Sequence, residues 1–216
     1  MLNFQQYANS LNNISPRIGG LANYGSYFQF ENDWIDYYNN IFQHNFHPNL
    51  QIRLIVCESC PNGNYPNANY IFDANCLANI VNCKRDKYLQ QIYNGVFPRV
   101  AINHLPTKMQ ALVDLSQENI LILDLLPTHG ITLSTNDRIN ININPIGCCD
   151  INKILQLPNI QNLDFNYVFA VPPTLYAINF LINHLPQNFV EWGNLNIGQG
   201  HCPSRNALNA IINMGF

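Results

Sequence analysis

A chain of 216 residues with 47% hydrophobic content can bury one good core and is short for two, so a single domain is expected over residues 1–216. Only 11% of the residues are charged, roughly one in six is asparagine, and the formal net charge is −3. That balance excludes the broad positive field of proteins that grip a long nucleic-acid backbone, and leaves room only for a small, local contact. The seven cysteines are irregularly spaced in a chain large enough to need no covalent staples, which points to reduced thiols and a cytoplasmic setting.

The opening residues, Met1 to Gln6, lack a basic region followed by an apolar core, so no signal peptide is expected. No apolar run approaches the roughly 20 residues of a bilayer span, so no membrane partner is expected. Phe4, Tyr7, Ala8, Leu11 and Ile14 recur at helical spacing, and Trp34, Ile35, Tyr38, Ile41 and Phe42 do so again before Pro48 interrupts. Between them, Gly19 to Tyr27 reads as a loop rich in Gly and Tyr. Residues 1–48 thus read as a helical extension packed on the rest.

Ile52 to Cys57, Ile120 to Leu125, Tyr167 to Val171 and, less cleanly, Asn188 to Trp192 are short, nearly continuous apolar runs. Continuous apolarity marks strands covered on both faces. Helical patterns fall between them: Leu77, Ile80, Val81, Tyr88 and Ile92; Met109, Leu112 and Val113; Leu175, Ile178 and Ile182. The alternation predicts an α/β fold, a three-layer α/β/α arrangement with a central, mainly parallel four-stranded sheet. Asn140 to Asn144 alternates and reads as an edge strand or an extended loop, and Pro203 opens a final helix through Ala207, Leu208 and Ile211.

In such a sheet, ligands bind outside the carboxyl ends of the strands. The first strand delivers Glu58, Ser59, Pro61 and Gly63; the second delivers Asp124, Pro127, Thr128 and His129; the last segment delivers His201, Cys202, Pro203 and Ser204. Cys57 and Cys60 have C-x-x-C spacing, but a redox pair wants a helix N-terminus, and a zinc site wants a second ligand pair that the sequence lacks. No metal and no cofactor are therefore expected. Glu58, fixed at a strand end, suits orienting or deprotonating a water, or capping N–H groups of the following turn. Tyr70 and Phe72 suit stacking a planar ring, or packing in the core. His201 suits donation to a developing oxyanion, or an ordinary surface position. Ser204, the N–H groups of the helix it begins, and Arg205 suit one phosphate. A Cys-His nucleophile built from Cys57, Cys60 or Cys202 with His129 or His201 is a further arrangement, and spacing singles out no pair.

Leu54 to Gly63, with its Glu58-Ser59-Cys60-Pro61 core, followed by Tyr70 and Phe72, resembles the first motif of the uracil-DNA glycosylase superfamily, especially a bacterial branch with a Glu-Ser-Pro-Pro start. Ile120 to Pro127 resembles that group's second strand, which runs into an Asp and a proline; Tyr167 to Pro172 stands in the place of its third; His201-Cys202-Pro203-Ser204 resembles its late His-Pro-Ser motif with one residue extra. The resemblance spans residues 50 to 216. It implies an enzyme that extrudes a damaged or deaminated base from DNA and hydrolyses its N-glycosidic bond without a metal. It also implies roles: Glu58 orients water, Phe72 or Tyr70 stacks the base, His201 assists departure, and Pro203 and Ser204 hold the backbone. Cys60 and Cys202 depart from the pattern, which leaves a catalytically silent module binding nucleic acid or a protein partner as the alternative. Oligomeric state is not legible.

Overall fold

The computed structural model describes residues 9, 13, 24–50, 52–60, 70–73, 87–97, 105–129, 134, 136, 167–170, 197–198 and 202–203. Within them, β1 (Arg53–Cys60), β2 (Ile120–His129) and β3 (Tyr167–Ala170) pair in parallel, in the order β2-β1-β3. Arg53 stands opposite Ile120 on one side and Tyr167 on the other. Ile120, Leu121, Ile122 and Leu123 are all buried, which is what a strand with apolar residues at successive positions requires.

Two strands outrun their apolar runs. β1 continues past Cys57 through Glu58 and Ser59 to Cys60, and β2 continues past Leu125 to His129. Ladder pairing is a backbone property, so it persists past the apolar residues while a partner strand is alongside. The register runs Cys57 opposite Asp124, Ser59 opposite Leu126 and Cys60 opposite His129, with an irregularity between Ser59 and Cys60. A separate antiparallel pair joins β4 (Ile197–Gly198) to β5 (Cys202–Pro203). The run at 188–192, the stretch at 140–144 and the helices expected over 175–182 and 207–212 lie outside the described residues. A three-layer arrangement around four strands is the architecture we propose for the whole chain.

α1 (Tyr24–Tyr37) passes directly into a π-helical segment, Tyr38–Phe42, and a last α-helical turn, Gln43–Asn45. Tyr24 to Tyr27, expected as loop, is therefore helical. One glycine in a helix costs about 1 kcal/mol, whereas burying each large apolar side chain contributes about 1.5–3 kcal/mol, and Trp34, Tyr37, Tyr38, Ile41 and Phe42 are all buried. Four-residue spacing stacks Trp34 on Tyr38 at 5.4 Å, Tyr38 on Phe42 at 5.9 Å and Phe42 on Phe46 at 5.3 Å between ring centroids.

This segment also closes one edge of the sheet. The Arg53 N–H donates to Asn119 O at 2.9 Å; carbonyls alternate sides along a strand, so those of residues 120 and 122 face away from β1. Trp34 Nε1 donates to Ile122 O at 2.9 Å, and Tyr37 Oη reaches Ile120 O at 3.5 Å. Side chains about one helical turn apart thus cover alternate carbonyls on the side of β2 away from β1, where no strand pairs among the described residues.

α2 (Lys87–Val96) reaches beyond Ile92 and stops short of Pro98. Its Leu89, Ile92, Tyr93 and Val96 form the buried stripe. Leu77, Ile80 and Val81 lie outside the described residues. α3 (Lys108–Gln117) starts at Thr107, whose side chain accepts the Gln110 N–H at 3.2 Å. It packs on β2 and on the π segment. Among the described residues, no helix is long and apolar enough to cross a membrane.

Candidate functional site

The order β2-β1-β3 puts the first strand in the middle, with the second on one side and the third on the other. The direction of winding therefore reverses between β1 and β3, and the carboxyl end of that gap is where open parallel sheets bind ligands. β3 pairs with β1 only as far as Ala170 opposite Val56. From Cys57 to Cys60, β1 is paired with β2 on one side, and among the described residues nothing pairs with its other side. Glu58, Ser59 and Cys60 are thus the last residues of the central strand, beyond the end of β3.

Tyr70 lies beside this region, on Asp124 of β2. The turn Tyr70–Asp73 closes with Asp73 N–H donating to Tyr70 O at 3.1 Å, and Lys108 Nζ donates to the same carbonyl at 2.6 Å. Tyr70 Oη donates to Asp124 Oδ2. The Tyr70 ring meets Phe72 edge-on at 5.0 Å, and Phe72 stacks on Tyr37 at 4.7 Å. One short turn is therefore held by α3, β2 and α1 together. Lys108 is fully buried, and Tyr70, Phe72 and Asp124 are 4%, 1% and 7% exposed.

These positions revise several expectations. Glu58 lies inside β1 rather than on the first residue past it, and Asp124 lies inside β2, five residues before its end. Asp124 is not an open rim carboxylate: it accepts the hydroxyl of Tyr70 in a buried position. Phe72 and Tyr70 are core aromatics, and one face of Phe72 is occupied by Tyr37, so neither ring presents a free platform to a base as it stands. Pro203 pairs with Ile197 in β5, the helix expected after it lies outside the described residues, and β5 lies against α2. Pro61, Gly63, His201, Ser204 and Arg205 lie outside the described residues. The site residues that do come together are Tyr70, Phe72 and Asp124, with Glu58 and Ser59 on the neighbouring strand, since Asp124 is the register partner of Cys57.

Lys108 and Asn119 escaped the sequence reading. Lys108 falls at helical spacing with Ala111, Leu112 and Leu115, all buried, and a lysine inside an apolar stripe is the signal that marks it. Asn119 follows α3 with φ of 55°, a left-handed position that Asn tolerates at a helix end. Its Nδ2 donates to His47 O at 2.8 Å and Leu50 O at 2.9 Å, and its Oδ1 accepts from His47 N at 2.7 Å. Between α2 and α3, Tyr93 Oη donates to Asp114 Oδ2 at 2.8 Å, while Gln110 Nε2 donates to Asp114 Oδ1 at 2.7 Å. Burial first, then the hydrogen bond and charge of Asp114, push the Tyr93 phenol above its ordinary range. Among the described residues, no group of three or more His, Cys, Asp or Glu side chains could hold a metal ion. Comparison with protein-family models, with curated proteins and with solved structures returns no match to this chain.

Proposed function

We propose that the chain is a DNA base-excision glycosylase that hydrolyses the N-glycosidic bond of uracil or another damaged base, with Glu58 orienting the attacking water. The observation that carries this reading is the position of Glu58-Ser59-Cys60 at the carboxyl end of the central strand, at the reversal of the sheet. The motif resemblance supplies the reaction; the topology supplies a reason for a carboxylate there. The test is incubation of uracil-containing single-stranded and duplex oligonucleotides with the protein, then alkali, beside Glu58→Gln. The native chain is expected to leave abasic sites, and Glu58→Gln to lower the rate by about 10²–10⁴-fold. No abasic site on any damaged base ends the enzyme reading.

The burial of Tyr70 and Phe72 favours a second reading, a module of the same fold that binds nucleic acid or a protein partner without turnover. Fluorescence anisotropy separates the two, since binding without excision belongs to the silent module. The register of Cys60 opposite His129 favours one pair for a Cys-His hydrolase acting on a small molecule. That reading requires Cys60 to react with iodoacetamide faster than the other cysteines, and uniform labelling rates end it.

A further inference from the structure

We infer that Lys108, Asp124 and Tyr70 form a buried clamp that positions the carboxyl end of β1. This inference rests on the reading of that strand end as the functional site. Three independent contacts converge on one residue: Lys108 Nζ and the Asp73 N–H on the Tyr70 carbonyl, and Asp124 on the Tyr70 hydroxyl. Each contact comes from a different part of the chain. Lys108 begins α3, Asp124 lies in β2 opposite Cys57, and Asp73 closes the local turn.

The arrangement is over-built for simple packing. A lysine and an aspartate are almost never fully buried unless their polar atoms are met, and an apolar core would hold Phe72 against Tyr37 without either. What the polar groups add is direction. Hydrogen bonds to both ends of Tyr70 fix the axial and rotational position of the turn, whereas apolar contacts tolerate sliding. Asp124 is the register partner of Cys57, so a turn fixed on Asp124 through the Tyr70 hydroxyl is anchored beside the residues that lead into Glu58-Ser59-Cys60. A misplacement of about 1 Å costs an enzyme on the order of 100-fold, which is the scale on which such a clamp acts.

The test uses the full chain with Tyr70→Phe, which keeps the ring on Phe72 and removes only the hydroxyl, and with Asp124→Asn, which still offers that hydroxyl an acceptor. Amide hydrogen exchange is followed in the peptide from Cys57 to Phe72, with α2 as the internal reference. In Tyr70→Phe, exchange there rises about tenfold relative to α2, and excision falls through kcat by about 100-fold with KM held within about twofold. In Asp124→Asn the exchange stays close to that of the native chain. Unchanged exchange in Tyr70→Phe overturns the clamp, whether or not the native protein excises uracil. A native protein that leaves no abasic site ends the proposed function, and the exchange comparison then decides the clamp alone. Asp124→Asn with native exchange but abolished turnover overturns the positioning role, because the carboxylate then acts on substrate.

Discussion

Tyr37 is fully buried beneath the sheet edge, and burial pushes its phenol far above the ordinary value of 10.0; Tyr93 is pushed the same way by burial and by Asp114. Below pH 10 both the folded and unfolded chains keep these protons, so the stability involved is fully present. As pH rises past 10 the unfolded chain releases them while the folded one does not, and stability falls with increasing pH. In an alkaline titration followed by tyrosinate absorbance and circular dichroism, these two of the eleven tyrosines are expected to ionise only together with unfolding. Reversible ionisation of all eleven near pH 10, with circular dichroism unchanged, would sink this account. At the same scale, Asn119 shows why residue roles were hard to read. In a chain so rich in asparagine, nothing in the letter distinguishes a left-handed Asn holding His47 and Leu50 from the many on the surface. Lys108 was legible in principle, because a charge at the first position of an apolar stripe that continues through Ala111, Leu112 and Leu115 is uncommon.

Between elements, the decisive contact is Trp34 with β2. The Trp34 ring is buried and its Nε1 meets a carbonyl that β1 does not use. Trp34→Phe retains an aromatic ring and leaves Ile122 O without that donor, so a loss of about 1–3 kcal/mol is expected in urea unfolding, against about 3–5 kcal/mol for Trp34→Ala, which also opens a cavity. A negligible loss for Trp34→Phe beside the full loss for Trp34→Ala would show that packing alone fixes α1 on the edge. Apolar runs marked the middle of each strand because a strand covered on both faces carries no polar alternation to blur it. The ends were not marked. Ser59 opposite Leu126 and Cys60 opposite His129 extend the ladder through backbone pairing that side-chain hydropathy does not register, with Pro127 and Thr128 in the irregularity between those pairs. The π segment was equally hidden, since aromatics four apart suit an α-helix and a π-helix alike.

For the whole molecule, the reversal between β1 and β3 is where the proposed function puts its ligand. The full sequence carries ten Lys and Arg against thirteen Asp and Glu. The sequence order of strands made the carboxyl rim predictable, whereas the burial of Tyr70 and Phe72 was not, because an aromatic pair beyond a turn reads alike as platform and as core. With charge so balanced, the proposed glycosylase function requires that an oligonucleotide be held by few phosphates. Neutralising about two on a single strand gives a salt slope near −1.4, or roughly a sevenfold loss of affinity between about 50 and 200 mM salt, whereas six to ten contacts cost roughly 10³–10⁵. Anisotropy titrations of a uracil-containing single strand across that range are expected to fall in the first class. A thousandfold loss would mean a broad cationic groove, and would oblige a DNA-bound reading to look beyond the carboxyl end of β1 for its contacts.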